Sequence, residues 1–181
     1  MKKNLVIINN EKCSIKENDL YCENIEIKSL SENLKNKYNI KFLLRKGNIT
    51  PVYKIDKSNT KISSNILSFT KNLIISMIKD RADYLIISVT PYTFLSFLLL
   101  FLFKKKKFLY LRSDGKKEIS IIFGKKLSII YKIIENVMVK FSNLIVVNDL
   151  ISKKKKFHLV NPSQIDQQWF QNTKIPKRDK I

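Results

Sequence analysis

Short apolar runs alternate with longer segments in which apolar residues recur every three or four positions. The short runs, rich in Ile, Leu and Val, are typical of buried strands, and the longer segments are typical of helices with one buried face. The predicted strands are Asn4 to Ile8, Ile40 to Leu44, Leu85 to Val89, Lys107 to Leu111, Leu144 to Val147 and Phe157 to Val160. The predicted helices are Ser29 to Tyr38, Ile62 to Lys79, Tyr92 to Phe103 and Glu118 to Phe141. The polar segment Ile49 to Ser64, which contains Pro51, is predicted to be a surface loop in which one short extended piece is allowed.

Two features inside the predicted helices refine this pattern. In the last helix Leu127, Ile130, Ile134, Val137, Met138 and Phe141 share one stripe, while Lys125, Lys132 and Lys140 lie away from it. Gly124 is expected to kink this helix or to split it in two.

One stretch admits two interpretations. From Tyr84 to Phe103 there is no charged residue, and by length alone this stretch suits a membrane-spanning helix. Thr90, however, is a good helix N-cap, and Pro91 then falls at the first helical position, where its missing N–H costs nothing. We therefore favour a strand, a helix and a further strand over a membrane span.

The order of the predicted elements defines the fold class. Strands that alternate with helices and are apolar on both faces predict an α/β fold with a mainly parallel sheet, covered by helices on both sides. This is a doubly wound, Rossmann-like arrangement. The 181 residues, 44% of them hydrophobic, are enough for one domain with a sizeable core.

Polar residues at the carboxyl ends of the strands are the candidate site, since ligands of such sheets bind there. Arginine holds phosphate or carboxylate groups, aspartate acts as a base or binds hydroxyl groups, and glycine permits close backbone approach. The alternative for Asp114 and Gly115 is a simple strand-ending turn. The candidate residues are Asn9, Asn10, Lys46, Gly47, Thr90, Arg112, Ser113, Asp114, Gly115 and Asn148.

The net charge of +20, from 35 basic and 15 acidic residues, favours an anionic partner. Only four of the basic residues are arginines and no nucleic-acid-binding motif is visible, which disfavours nucleic acid. Two lysine runs, Lys104 to Lys107 and Lys153 to Lys156, are either solvated loops or contacts with an anionic membrane leaflet.

Several familiar sites are missing. The residues after the first strand, Asn9 to Lys12, contain no glycine-rich nucleotide cradle, and the chain has no P-loop motif. His158, the single histidine, is expected to be an ordinary strand residue, so no Ser-His-Asp device is indicated. Cys13 and Cys22 do not form a CxxC pair and cannot complete a zinc set with one histidine, so we expect no metal site.

A resemblance to a known family rests on four stretches: ISVTPYTFLSFLLLFLFKKKKFLYLRSDG, the long basic helix after it, SNLIVVN and FHLVNPSQIDQQWF. Together they resemble the amino-terminal domain of a GT-B glycosyltransferase of family 4, over about Asp83 to Phe170. The resemblance implies an acceptor-binding domain over residues 1–160 and an interdomain linker or tail over residues 161–181. In that linker Pro162, Ser163, Asp166 and Phe170 match the family pattern.

The resemblance also implies a function. This domain would hold a saccharide or lipid-linked acceptor over Thr90, Arg112, Ser113 and Asp114. Among these residues we expect Asp114 to be the catalytic one, because an aspartate can act as a base. The donor, a nucleotide sugar, would be bound by a second Rossmann domain, in the same chain or in a separate subunit. That domain is not in this sequence, so we expect little activity from the chain alone.

No cofactor and no metal is implied, because in this family helix ends and basic side chains neutralise the donor diphosphate. The sequence departs from the family at Asn9 to Lys12, where a glycine-rich loop is common, and at the strand ending in Arg112, where many members carry a histidine.

Other interpretations stay open. The chain would then be a non-catalytic basic α/β protein that binds a membrane surface or nucleic acid, a membrane-anchored binding protein, or a solitary flavodoxin-like domain. The amino terminus lacks a convincing secretion signal, so the cytoplasm, including the inner face of the membrane, is the expected location.

Overall fold

The computed structural model describes residues 2–148 and 156–160. Its elements are, in chain order, β1 (Lys3–Lys16), β2 (Asp19–Cys22), α1 (Ile25–Leu34), β3 (Tyr38–Lys46), β4 (Tyr53–Ile55), β5 (Thr60–Ser63), α2 (Ile66–Lys79), β6 (Ala82–Ile87), α3 (Pro91–Leu102), β7 (Lys107–Leu111), α4 (Gly115–Phe123), α5 (Lys125–Lys140), β8 (Asn143–Val146) and β9 (Phe157–Leu159).

Seven of the described strands form a parallel sheet in the order β5, β3, β1, β6, β7, β8, β9. The chain therefore starts in the middle of the sheet, builds outward to one edge, returns past β1 and builds to the other edge. β2 and β4 add antiparallel strands beside the extended end of β1. This order is the doubly wound, Rossmann-like arrangement that the sequence predicts.

The two faces of the sheet bury separate cores. On one face Ile27 of α1 packs with Leu5, Ile7 and Leu44 of the strands. The opposite face is covered by α2, α3 and α5, whose buried side chains include Phe69, Leu73, Phe97, Leu100 and Met138. Helices on both faces account for strands that are apolar on both sides.

The segment with two interpretations is a strand, a helix and a strand. A capping box between Thr90 and Thr93 begins α3, and Pro91 occupies its first turn, as predicted. Among the described residues, every helix is too short or too polar to cross a bilayer. Gly124, with a φ of +84°, separates α4 from α5, which confirms that the long helix is split.

Three sequence predictions are wrong. β1 does not end at Ile8; Asn9 to Lys12 continue it through an irregularity, and it turns at Glu17 and Asn18 into β2. Both turn residues have positive φ, as a tight two-residue hairpin turn requires. The segment Ile49 to Ser64, predicted as a loop with room for one short extended piece, contains two short strands, β4 and β5.

The predicted first helix is also displaced. It runs over Ile25–Leu34 because Asn24 caps it and accepts a hydrogen bond from the backbone N–H of Glu26. The predicted linker residues Pro162, Ser163 and Asp166, and most of the run Lys153 to Lys156, lie outside the described residues.

Candidate functional site

The carboxyl end of β6 lies beside the middle of β1, with Asn9 in register with Ile87. From β1 the chain crosses to β3 through α1, and from β6 it crosses to β7 through α3, with these helices on opposite faces of the sheet. Ligands of open α/β sheets bind where the direction of winding reverses in this way. We call this place, bounded by Asn9, Ser88 and Arg112, the edge crevice.

An ion pair between Arg112 and Glu26 spans the crevice on the α1 face. The Arg112 Nη1 donates to Glu26 Oε2 at 2.6 Å, and its Nη2 lies 3.5 Å from the Ser88 hydroxyl oxygen. Glu26 lies in the first turn of α1, where a carboxylate is also favoured by the helix dipole. The arginine that the sequence singled out is therefore held by a carboxylate.

Further acidic side chains surround this ion pair. Burial raises the pKa of the Glu11 carboxyl, and a hydrogen bond with Asn24 and the charge of Arg112 reduce this rise in part. The charges of Glu23 and Glu26 raise the pKa of Glu11 further. Glu11 and Glu26 thus lie near Arg112, and Glu23 lies near Glu11, in a chain whose net charge is +20.

Tyr110 completes the α1 side of the crevice. Burial raises the pKa of Tyr110 to about 12, and the carboxylate of Glu26 adds to the rise. At neutral pH this phenol is therefore protonated, and it donates a hydrogen bond to the Glu26 carboxylate.

The opposite face of the crevice carries an arginine held by an amide and a ring. Arg45 Nη1 donates to Asn10 Oδ1 at 2.9 Å, and the guanidinium lies 4.3 Å from the centroid of the Tyr92 ring. Both contacts fix the orientation of Arg45. Asn10, one of the predicted site residues, thus serves to position a neighbour.

Two buried polar atoms beside the crevice lack a hydrogen-bond partner within the described part of the chain. They are Nδ2 of Asn9 and Nε of Arg45. Asn9 is almost fully buried, and its Oδ1 accepts a hydrogen bond from the backbone N–H of Glu11. An unpaired buried donor costs free energy, which a ligand acceptor would recover.

Ser88 holds an unusual backbone conformation between β6 and α3. Its φ is +64°, in the left-handed region that a non-glycine residue seldom adopts. Its backbone N–H donates to the Tyr110 carbonyl at 3.0 Å, and its own carbonyl accepts from the Thr93 hydroxyl at 3.0 Å. Strain held in this way at a strand end is typical of functional sites.

Thr90 and Asp114 both have structural roles as helix N-caps. The Thr90 hydroxyl oxygen accepts from the Thr93 backbone N–H, and Asp114 Oδ1 accepts from the Lys117 backbone N–H at 3.3 Å. The Asp114 carboxylate also faces the Lys117 ammonium at 3.8 Å and stays partly exposed. Capping and contact with a ligand are compatible for a half-exposed carboxylate.

Gly115 is required by close packing. A Cβ atom placed on Gly115 would lie 2.0 Å from the Tyr131 hydroxyl oxygen and 2.5 Å from its ring carbon Cζ. The absence of a side chain therefore lets α5 approach the start of α4. Burial raises the pKa of Tyr131, and the charges of Glu135, Glu118 and Asp114 add to that rise.

The remaining predicted site residues are spread along the edge. Lys46 is in register with Cys13 in the extended end of β1, and the Gly47 N–H donates to the Cys13 carbonyl at 3.0 Å. Ser113 is exposed directly after Arg112, and Asn148 is exposed after β8. The structure thus groups Asn9 and Arg112 on the α1 face and places Lys46 and Gly47 beside the hairpin.

The cysteines are buried in the hairpin between β1 and β2. Cys13 and Cys22 are free and lie opposite each other in the antiparallel register. Burial raises the pKa of Cys13 to about 12 and that of Cys22 to about 11, so neither is a thiolate at neutral pH. In the part of the chain that the structure describes, no group of three or more His, Cys, Asp or Glu side chains is arranged to hold a metal ion.

Sequence reasoning missed Glu11, Glu26, Arg45 and Tyr92. Glu26 carries a local signal, since it follows the helix cap Asn24 by two residues. The other three become visible only when β1, β3 and α3 are assembled.

Comparison with known proteins leaves the chain without an assigned family. The sequence matches no protein-family model, and no curated protein matches it. The function is therefore argued from the edge crevice itself.

Proposed function

We propose that this chain is the acceptor-binding half of a glycosyltransferase, which receives a sugar from a nucleotide-sugar donor held by a separate domain or subunit. The observation that carries the proposal is the ion pair of Arg112 with Glu26 at the carboxyl edge of the sheet, together with the carboxyl of Glu11, which feels the charges of Arg112, Glu23 and Glu26. The edge is where ligands of this fold bind, and these charged groups restrict their chemistry.

The chemistry of these groups suits a saccharide. Carboxylates accept hydrogen bonds from hydroxyl groups, and a paired arginine donates to them. Several carboxylates in one place repel a phosphate or a nucleic-acid backbone, even though the chain as a whole is strongly basic. A neutral polyol with many hydroxyl groups therefore fits the α1 face of the crevice better than an anion.

The proposed roles follow from position. Arg112 and Glu26 bind acceptor hydroxyl groups, and Asn9 Nδ2 donates to an acceptor oxygen. Tyr110 forms the buried wall of the site. Asp114 removes the proton from the attacking hydroxyl group, for which its partly exposed carboxylate is suited. The resemblance to family 4 supports placing the acceptor over Thr90, Arg112, Ser113 and Asp114.

The proposal is tested by saccharide binding to the chain alone. Saturation-transfer difference NMR with a panel of neutral mono- and oligosaccharides is expected to show transfer to at least one of them. Glu26→Gln and Arg112→Gln are expected to weaken that transfer severalfold. The matched control is Asp83→Asn, which removes the ion pair between Asp83 and Lys106. Asp83 lies near the start of β6, whereas the edge crevice lies at the carboxyl end of this strand.

Two results would count against the proposal. One is the absence of transfer to every saccharide in the panel. The other is transfer that Glu26→Gln and Asp83→Asn reduce equally, because binding would then lie elsewhere. Circular dichroism of each variant separates loss of binding from loss of fold.

A further inference from the structure

The side of helix α5 that faces the core is partly polar, because Ser128 and Glu135 lie there beside Met138. Ser128 and Glu135 are buried, whereas Ile129, Ile130 and Ile133 are more than half exposed. The buried polar groups have partners: the Ser128 hydroxyl donates to the Lys116 carbonyl at 3.2 Å, and Glu135 accepts from Lys132 Nζ at 3.0 Å. Of the apolar stripe read from the sequence, only Met138 is fully buried, so the stripe is largely an outward surface.

The end of α4 is more exposed still. Ile121, Ile122 and Phe123 are 85%, 67% and 59% exposed. Gly124 follows them with a φ of +84°, and no atom lies within 4 Å of where its Cβ would be. We call residues 121–124 the apolar tip. Large apolar side chains grouped in this way on a protein surface mark an interaction site.

The apolar surface extends toward the end of α3. The rings of Phe101 and Phe141 lie 5.0 Å apart and join the last turn of α3 to the end of α5. Leu102 and Phe103 are exposed beside them. The surface therefore runs along α5 from the apolar tip to the Phe101 ring.

Lysines flank the apolar surface. Between residues 115 and 140 there are six lysines, Lys116, Lys117, Lys125, Lys126, Lys132 and Lys140, against two glutamates, Glu118 and Glu135. One of these glutamates is buried against Lys132. Lys125 and Lys126 follow the apolar tip directly and are exposed.

We infer that the apolar surface of α4 and α5 docks onto an anionic lipid bilayer. The apolar tip would insert among the acyl chains, and the flanking lysines would lie against the headgroups. Helices with one apolar face and lysines at its borders bind bilayer surfaces in this way. Each lysine near an anionic leaflet contributes to binding, and each buried apolar side chain adds to it. The inference goes beyond the proposed function, because it requires neither a sugar nor a donor-binding domain.

The charge distribution selects a bilayer over a second copy of the chain. Pairing two copies through this surface would bring together lysines of like charge.

The lysine run Lys104 to Lys107 contributes less to a membrane contact than the sequence indicated. Lys107 is buried near the rings of Phe97 and Phe101, and Lys105 donates to the Met77 carbonyl at 2.9 Å.

The test is cosedimentation of the full chain with vesicles of phosphatidylcholine, alone or with about one third phosphatidylglycerol. Binding is expected to the anionic vesicles and to be at least severalfold weaker for the neutral ones. Ile122→Ser/Phe123→Ser is expected to weaken binding to the anionic vesicles by about tenfold or more. Lys125→Gln/Lys126→Gln is expected to weaken it by about tenfold and to flatten its salt dependence.

The matched control for the tip is Leu67→Ser/Ile78→Ser. These side chains of α2 are 77% and 80% exposed, so the control removes as much exposed apolar surface from another helix. It is expected to bind vesicles like the unmodified chain.

Three outcomes would overturn the inference: no binding to anionic vesicles, equal loss in the tip variant and in its control, or a dimer in sedimentation velocity that the tip variant dissociates while vesicles are not bound. Since no saccharide is present, failure here leaves the proposed function untouched, and failure of saccharide binding leaves the membrane surface untouched.

Discussion

Arg112 Nη1 and Glu26 Oε2 meet at 2.6 Å although 86 residues separate them in the sequence. The contact joins the end of β7 to the first turn of α1 and so crosses the mouth of the edge crevice. An ion pair that ties two elements at a ligand-binding edge both stabilises the fold and arranges the site. The two contributions are separable by experiment.

A double-mutant cycle measures how much the Arg112–Glu26 ion pair contributes to the stability of the protein. Arg112→Gln, Glu26→Gln and the double variant are expected to give a coupling energy of about 1 kcal/mol in urea unfolding, reduced from that of a buried pair because Arg112 is about one third exposed. The same cycle on Lys54 and Asp19, a more exposed pair, is expected to give no measurable coupling. Equal coupling energies in the two cycles would contradict the claim that partial burial makes the Arg112–Glu26 pair the more stabilising of the two.

Gly115→Ala tests the packing of α4 on α5. The added methyl group would collide with Tyr131, so we expect a destabilisation of about 1–3 kcal/mol in urea unfolding. In a Tyr131→Ala background the same change is expected to cost much less, because the obstructing ring is gone. A Gly115→Ala penalty that is the same in both backgrounds would show that Tyr131 is not the cause.

The pH dependence of stability reports the environment of Glu11. Its folded pKa lies above the unfolded value of about 4.5, so the folded state holds this proton to higher pH than the unfolded state does. The contribution of Glu11 to the free energy of unfolding is therefore largest below pH 4.5 and is lost as the pH rises through the raised pKa.

Glu11→Gln removes this dependence. The variant is expected to gain stability relative to the unmodified chain as the pH is raised from 4 to 7, in urea titrations at each pH. If the stability of the variant relative to the unmodified chain fell as the pH rose, the pKa shift of Glu11 would have the opposite sign. That result would contradict the burial of Glu11. Glu17→Gln, at an exposed residue of the hairpin turn, is the matched control for removal of a carboxyl group.

Asp114→Asn separates the cap from the proposed base. Asparagine caps helices about as well as aspartate, so the free energy of unfolding is expected to change little. In an enzyme reconstituted with its donor-binding partner, sugar transfer is expected to fall by about 100-fold or more. Unchanged turnover would remove Asp114 from the mechanism and leave it as a helix cap.

The sequence predicted the fold well where its signals are local. Thr90 and Pro91 fix the start of α3, and the β-branched run before them fixes β6, which together exclude a single long apolar helix. The extension of β1 escaped prediction because Asn9 to Lys12 are polar, and only their pairing with β2 and β3 makes them a strand.

The candidate site was only partly predictable. The edge itself follows from the strand pattern, and Asn9 and Arg112 were placed there correctly. Glu11 and Arg45 can be recognised as site residues only once the pairing of their strands is known. The direction in which the apolar stripe of α5 points is likewise decided by packing. Periodicity predicts that a helix has an apolar face, whereas which residues of α5 meet the sheet depends on contacts such as that of Tyr131 with Gly115.

The central claim, that the edge crevice binds a saccharide acceptor, is tested most directly by mapping amide chemical shifts of the full chain during saccharide titration. The account predicts that shifts cluster at Glu11, Glu26, Ser88 and Arg112. Shifts confined to the opposite edge, near Asp83 and Lys106, or no shifts with any saccharide, would contradict it.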